Sequence, residues 1–306
     1  MTRYIARRIV MLLPVLFGVS LISFALLHMV PGDPVTLLAG DQADQAFIQN
    51  LKKEYGLDKP LHVQYYQFIS HVIRCDFGTS IRSHQPVAKL LRERFVFTAQ
   101  LAFLSIIIAA FIGLIAGVIS ATRRYSIFDN LSMVGSLFGI SMPIFWLALL
   151  LMLVFSVSLG WFPAGGKGTL KHLVLPAIAL GASSSAVIAR MTRASMLEVI
   201  RQDYIRTARA NGFREIIVIS KHALKNAMIP VITVFGLEFG YMLGGAVLTE
   251  TVFSLPGLGR LMVDGIFQRD YPVVQGAMLL VATTFVVVNL ITDIAYSFVD
   301  PRIRYE

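Results

Sequence analysis

The sequence predicts an all-α integral membrane protein, and three observations support that fold class. The chain of 306 residues is 56% hydrophobic and only 15% charged, which is too apolar for a soluble domain of this size. Its apolar residues are gathered into stretches long enough to cross about 30 Å of hydrocarbon as helices, which takes roughly 20 residues. The single cysteine, Cys75, can form neither an intrachain disulfide nor a multi-cysteine metal site. Helix packing must therefore hold the fold together.

Six apolar stretches meet the length criterion, and we predict one transmembrane helix for each. The fourth is the least apolar because three consecutive serines, Ser183, Ser184 and Ser185, interrupt it. The first is longer than a typical signal peptide core and has no small-residue cleavage site after it, so we expect a retained anchor. The six stretches cover residues 9–30, 98–121, 131–159, 173–189, 229–248 and 273–299.

The distribution of lysine and arginine predicts the orientation of these helices. If the N-terminus is cytoplasmic, the inner segments contain 15 basic residues and the short outer loops contain four. Short loops rich in basic residues stay in the cytoplasm, so we expect both termini there. The net charge of +9 follows the inner membrane surface, which argues against a nucleic-acid partner and for contact with membrane lipid.

The predicted spans divide the chain into four parts. Residues 1–30 form the cytoplasmic N-terminus and the first span. Residues 31–97 form an external segment, which we expect to fold as a small helical cap because residues 47–55 and 63–73 are amphipathic. Residues 98–299 form a core of five spans that includes a cytoplasmic loop at 190–228. Residues 300–306 form a cytoplasmic tail.

The loop at 190–228 contains a predicted short helix over residues 204–211. Asp203 is placed to cap its N-terminus, and Gly212 is placed to end it in the left-handed conformation. An exposed helix of two turns is marginal in water, so we expect it to dock on a cytoplasmic partner. The alternative is a loop that lies on lipid headgroups through Arg206, Arg209 and Arg214, and the residues alone leave both interpretations open.

The segment from Tyr204 to Gly212, followed by the segment from His222 to Pro230, resembles the coupling loop of permeases in binding-protein-dependent ABC importers. The resemblance is to the dipeptide, oligopeptide, nickel and glutathione group. It extends along the chain through Pro31-Gly-Asp-Pro34, Leu255-Pro-Gly-Leu-Gly-Arg260 and Asp300-Pro-Arg-Ile-Arg304. The family implies a type I importer permease whose coupling helix seats in a groove on an ATPase. The residues to which this role is carried over are Asp203, Tyr204, Arg206, Thr207, Ala208, Arg209 and Gly212, and a bulky or charged residue in place of Ala208 is expected to block seating in the groove.

The resemblance also implies the partners and the reaction. It implies a permease subunit of the bacterial inner membrane that forms a heterodimer with a second permease around a central path. Two ATPase subunits and an extracytoplasmic solute-binding protein complete the importer. ATP is then used by the partners, and we expect no cofactor, no metal and no catalytic residue in this chain. Peptides are the expected solute, with nickel complexes or glutathione as alternatives.

Two further features concern the fifth predicted span. Gly236, Gly240 and Gly244 recur every fourth residue, a spacing that lets helix backbones approach closely in lipid. This face could serve packing within the chain or an interface with the second permease. Glu238 lies on the opposite side of the same helix, where an intramembrane carboxylate indicates either an aqueous translocation path or a hydrogen-bonded packing residue.

Two other classes of protein fit the sequence less well. A secondary transporter would show repeated halves with interrupted spans at matching positions, and no such repeat is visible. An intramembrane hydrolase would have to use Ser183, Ser184 or Ser185 as its nucleophile, and no histidine lies mid-span to act as its base. The segment Gly165-Gly-Lys-Gly168 lacks a serine or threonine after Lys167 and is not a phosphate-binding loop.

Overall fold

The computed structural model describes residues 2–29, residues 46, 49 and 53, and residues 58–299. Within these residues the chain is almost entirely helical, and the one strand-like pairing is an isolated bridge between Thr79 and Pro86. The predicted all-α class is confirmed. The helices are α1 (Thr2–Met29), α2 (Leu61–Ile73), α3 (Val87–Thr122), α4 (Ile127–Ser141), α5 (Ile144–Leu151), α6 (Lys171–Val199), α7 (Asp203–Ala210), α8 (Glu215–Ile217), α9 (Leu224–Gly245), α10 (Val247–Val252), α11 (Leu258–Phe267) and α12 (Tyr271–Val299).

The described helices account for most of the predicted spans. Four helical segments are long and apolar enough to cross a membrane: Val87–Thr122, Lys171–Val199, Glu215–Gly244 and Tyr271–Ile294. A bent pair of helices makes a fifth if it is counted as one span, and α1 contains a shorter apolar stretch, Val10–Ala25. The total of six therefore stays a prediction.

The third predicted span, residues 131–159, is not one continuous helix, and that prediction is wrong. The helices Ile127–Ser141 and Ile144–Ser158 meet at 103°. Met142 is extended, with φ −79° and ψ 124°, because the ring of Pro143 disfavours helical backbone in the residue before it. Beyond the break, α5 widens into a π-helix over Met152–Ser158. Hydropathy could not detect the bend because the apolar character continues across it.

Two helices extend well past the limits that hydropathy predicts. The helix of the second span begins at Val87, inside the segment assigned to the external cap, and the helix of the fourth span continues to Val199, inside the predicted loop. Hydropathy detects where the apolar residues end. A helix can continue past that point because charged residues in water can also be helical. The loop at 190–228 is consequently mostly helical, with α8 joined to α9 by a π-helix over Val218–Ala223.

The chain forms two compact units from non-contiguous segments, and the first holds residues 2–5, 99–255 and 285–299. Its core depends on close packing of α3 against α6. A Cβ atom at Gly113 would lie 2.7 Å from the Ile188 side chain, and one at Gly181 would lie 2.8 Å from the Ser105 carbonyl oxygen. Only glycine permits these approaches, so the two helices are held backbone to backbone.

The second unit holds residues 6–98 and 256–284. The structure describes residues 6–29, 46, 49, 53, 58–98 and 256–284 of it. The predicted amphipathic patch at 63–73 forms α2, whereas most of the patch at 47–55 lies outside the described residues. A buried carboxylate, Asp270, accepts hydrogen bonds from Ser80 Oγ at 2.5 Å and from the Ile81 N–H at 3.1 Å. The apolar core of this unit contains Val87, Leu91, Leu258, Val273 and Ala277.

Candidate functional site

The short helix α7 has two distinct faces. Ile205 is fully buried and Ala208 is 6% exposed, and these two residues lie one turn apart on the same side of the helix. The remaining side chains of the helix are exposed. A helix with this pattern packs its apolar side against a surface and leaves its polar side available.

The buried face of α7 packs against the chain itself. Full burial of an isoleucine side chain contributes about 1.5–3 kcal/mol, which is enough to hold a two-turn helix that would be marginal alone. A partner is therefore not needed to explain why this helix forms, contrary to the expectation from the sequence. The apolar cluster that receives it, called here the α7 cluster, contains Ala121, Met196, Ile205, Ala208, Val218, Ala223 and Ala227.

Ala208 lies on the buried face of α7, so bulk added there would first disturb packing within the chain. Its side chain faces the α7 cluster and is covered by the chain, so a partner protein cannot contact it directly. A small residue is required here because α7 lies close against the elements beneath it. The exposed outer face of α7 carries the contacts that remain available to a partner, and its members are Asp203, Tyr204, Arg206, Thr207, Arg209 and Ala210.

The two ends of α7 differ from each other in how well they match the prediction. Gln202 is the N-cap residue and makes no side-chain capping bond, so the prediction that Asp203 is the cap is wrong. Asp203 is instead the first helical residue, where its charge still interacts favourably with the helix dipole. Gly212 has φ +79° directly after the C-cap residue Asn211, which confirms the predicted left-handed end.

Polar contacts tie α7 to the helical segment that follows it. The Arg209 guanidinium donates to both carboxylate oxygens of Glu215, at 2.7 and 3.1 Å, and this pairing raises the pKa of Arg209. Asn226 Nδ2 donates to the Tyr204 hydroxyl at 2.9 Å. Arg206 also lies 3.7 Å from the Asp203 carboxylate, so two of the three arginines proposed for a headgroup-bound loop are already paired within the chain.

The glycines of the fifth predicted span have close contacts inside the first unit. Gly236 lies directly against Thr292, and a Cβ atom at Gly240 would lie 2.9 Å from the Phe285 ring. Gly244 is half-buried. Packing within the chain is thus sufficient to explain the first two glycines. An interface with a second permease on this face stays a prediction.

Glu238 also has a partner within the first unit. Ser184 Oγ donates a hydrogen bond of 2.5 Å to Glu238 Oε2, and the glutamate side chain is half-buried. Ser184 is the middle one of the three serines that make the fourth span less apolar. Its hydrogen bond to Glu238 gives a structural reason for a serine at this position. It matches the interpretation of Glu238 as a hydrogen-bonded packing residue, and its place on a translocation path stays a prediction.

Sequence reasoning missed an ion pair between Asp129 and Arg193. Arg193 Nε and Nη2 donate to the two carboxylate oxygens of Asp129 at 2.8 and 2.9 Å. The residues are 64 positions apart, so no local spacing links them. The one available signal was an acidic residue at the start of an apolar stretch, which calls for a cation nearby.

The break between α4 and α5 forms a cleft of about 470 Å³ with a mainly apolar lining. Such a break in a membrane helix requires that its free backbone groups be satisfied by protein or by water. Among the residues that the structure describes, no group of three or more histidine, cysteine, aspartate or glutamate side chains is arranged to hold a metal ion. The cleft is lined by Phe138, Ser141, Met142, Pro143, Phe145 and Trp146.

Long apolar helices, one of them broken at Met142 and Pro143, together define a helical integral membrane protein. The chain belongs to the family of inner membrane components of binding-protein-dependent transport systems, whose model matches residues 113–305. A second model, for the N-terminal part of these membrane components, matches residues 1–102. The family resemblance inferred from the sequence is confirmed, and the chain is a permease of an ABC importer rather than a member of an enzyme family.

Curated relatives match the chain along its whole length. It is 44% identical to the dipeptide transport system permease protein DppB of Alkalihalophilus pseudofirmus, with all of both chains covered. It is 46% identical to the glutathione transport system permease protein GsiC of Escherichia coli K12, again with all of both chains covered.

Solved structures show the same fold. The inward-facing MetNI methionine ABC transporter has a chain that matches with a TM-score of 0.60 at 21% identity, covering 69% of this chain and 96% of that one. An amino acid ABC transporter solved with histidines matches with a TM-score of 0.52 at 18% identity, covering 70% and 94%.

Proposed function

We propose that this permease pairs with a second, similar permease around a central path and is driven by two cytoplasmic ATPase subunits. A solute-binding protein delivers the solute from outside. The family is binding-protein-dependent, and this supports the receptor and the ATP-driven partners. The basic residues of the inner segments support cytoplasmic termini, with residues 31–97 outside and the loop at 190–228 inside. ATP is bound and hydrolysed by the partners, and this chain binds no cofactor.

The observation that carries the proposal is the division of α7 into a buried and an exposed face. The exposed face offers an ATPase a polar surface, while Ile205 beneath it is fully enclosed by the α7 cluster. Packed interiors transmit displacement because they leave no free space to absorb it. An ATPase that moves α7 therefore also moves the ends of the long helices that contribute Ala121 and Met196.

Short peptides are the solute class that we propose. The two relatives named above are permeases for dipeptides and for glutathione, which is itself a tripeptide. Nickel complexes remain the alternative from the wider group. We further propose that Glu238, which accepts a hydrogen bond from Ser184, faces the translocation path, and that Gly236, Gly240 and Gly244 lie at or near the interface with the second permease.

The coupling role of α7 can be tested by adding bulk to its exposed face. Thr207 is exposed, and its hydroxyl donates to the Asp203 carbonyl one turn back. In Thr207→Trp, we expect normal amounts of permease in the membrane but a loss of transport of about tenfold or more, because the ATPase can no longer seat. Copurification of the ATPases should fall in parallel.

Thr122→Trp provides the matched control, because Thr122 is also exposed and its hydroxyl likewise donates to carbonyls of the preceding turn, those of Val118 and Ile119. This variant should transport at close to the wild-type rate. If Thr207→Trp instead transports normally, with ATP hydrolysis still stimulated by the loaded receptor, α7 is not the coupling element.

A further inference from the structure

The ion pair between Asp129 and Arg193 joins three helical elements of the first unit at one buried carboxylate. Arg193 belongs to α6 and donates two hydrogen bonds to Asp129 at the start of α4. Ser120, near the end of α3, donates to the same carboxylate, and the Tyr125 N–H in the intervening turn donates at 3.0 Å. Four donors therefore converge on Asp129, whose side chain is 3% exposed.

Two residues close in sequence to the donors of this carboxylate belong to the cluster that receives α7. Met196 follows Arg193 by one turn of α6 and is fully buried in the α7 cluster. Ala121 follows Ser120 on α3 and belongs to the same cluster. The α7 cluster thus contacts two of the three elements that Asp129 links, and α4 is the third.

We propose that Asp129 and Arg193 are positioning residues of the transport cycle, which carry displacement of α7 into α4, the first half of the broken span. This inference rests on the proposed function of α7. Apolar packing transmits the movement from α7 to α3 and α6, and the bidentate ion pair obliges α4 to follow. A guanidinium fork suits this role because it fixes direction as well as distance, which a lysine ammonium does not.

The consequence is that α4 moves as a body with the ends of α3 and α6. Its opposite end is the break at Met142 and Pro143, where α5 begins at 103°. A backbone break of this kind can absorb a change of angle, as hinge positions do. Displacement of α7 would then change the angle at the break and the shape of the cleft formed there.

The test uses Arg193→Lys in the complete importer, with receptor and ATPases, in proteoliposomes. The charge remains, but the fork is lost. We expect ATP hydrolysis per assembled complex to stay within about twofold of wild type, while solute transported per ATP falls about tenfold. Arg123→Lys is the matched control, because Arg123 lies in the turn between α3 and α4 with its guanidinium 5.2 Å from the Phe128 ring, outside the pair. Arg123→Lys should leave the amount of solute transported per ATP unchanged.

A second measurement keeps the inference falsifiable if Arg193→Lys assembles poorly. Asp129→Asn, Arg193→Gln and the double variant are compared by the amount of solute transported per ATP hydrolysed. If the residues act as one link, the double variant should be no more than about twofold worse than the poorer single variant. If the double variant instead showed the product of the two single effects on solute transported per ATP, the residues would act independently and the proposal would be overturned.

The remaining outcomes are equally decisive. A lower yield of complex with a normal ratio of transport to hydrolysis would mean a purely structural ion pair, and the proposal would be wrong. A proportional fall of transport and hydrolysis would lead to the same conclusion. If the wild-type complex itself showed no ATP-driven transport, the proposed function would fail instead, so the two failures are distinguishable.

Discussion

Two arginine–carboxylate pairs in the first unit have nearly the same geometry and very different surroundings. Arg193 and Asp129 are bidentate at 2.8 and 2.9 Å, with side chains 24% and 3% exposed. Arg209 and Glu215 are bidentate at 2.7 and 3.1 Å, with side chains 40% and 56% exposed. The buried pair lies where helices meet, whereas the exposed pair lies where α7 meets the segment after it. The geometry of an ion pair alone therefore does not indicate how much the pair contributes to stability.

The difference between the pairs follows from the solvent. Water and salt screen an exposed pair, and its loss returns both groups to water at little cost. Loss of one member of a buried pair leaves the other as an uncompensated charge. Asp270 in the second unit is an intermediate case, since it is buried but accepts its hydrogen bonds from the Ser80 hydroxyl and from backbone N–H groups.

The largest effect should follow from Asp129→Ala. The substitution leaves the Arg193 guanidinium without its carboxylate and leaves the Ser120 hydroxyl and the Tyr125 N–H without their acceptor. We expect a loss of about 3 kcal/mol or more in the free energy of unfolding, measured by thermal unfolding of the permease in detergent. A loss below about 1 kcal/mol would contradict the view that burial sets the value of the pair.

An intermediate effect should follow from Asp270→Ala. Three donors from residues 80–82 lose their acceptor, but no cation is left uncompensated. We therefore expect the free energy of unfolding to fall by about 1–3 kcal/mol. Hydrogen exchange at Ile81 and Arg82 should increase. Asp270→Asn retains one acceptor oxygen and should be milder, and an equal loss in both variants would show that the carboxylate charge itself matters.

Much of the architecture could be predicted from the sequence, because hydropathy and local spacing are physical properties of neighbouring residues. The left-handed end of α7 followed from Gly212, and the helix itself followed from the pattern around it. Pro143 could have revealed the break in the third span, but the continuous apolar run around it favoured one helix. The end of α6 at Val199 was missed because polar residues continue the helix.

Most of the candidate site depends on contacts between distant residues, which a single sequence does not contain. The burial of Ala208 requires α3, α6 and α9 to meet beneath α7. Glu238 lies 54 positions from Ser184, and Asp129 lies 64 positions from Arg193. The motif identified the family but not which face of α7 is exposed, since a motif records residue types without their orientation.

The smallest effect should follow from Arg209→Gln. The exposed pair with Glu215 is lost, and we expect the unfolding free energy of the isolated permease to fall by less than about 1 kcal/mol. Because the interaction is screened, the difference from wild type should shrink further at high salt. A loss as large as that of Asp129→Ala would remove the distinction between the two pairs.

The central claim is that α7 presents its outer face to an ATPase while its inner face stays packed within the chain. Single cysteines at Thr207 and at Ala208, in a Cys75→Ala background, test it by thiol labelling in inside-out vesicles with and without the ATPase subunits. We predict that the cysteine at 207 reacts readily alone and is protected by the bound ATPases, whereas the cysteine at 208 is unreactive in both states. Equal reactivity at 207 with and without the ATPases, or ready labelling at 208, would contradict the account.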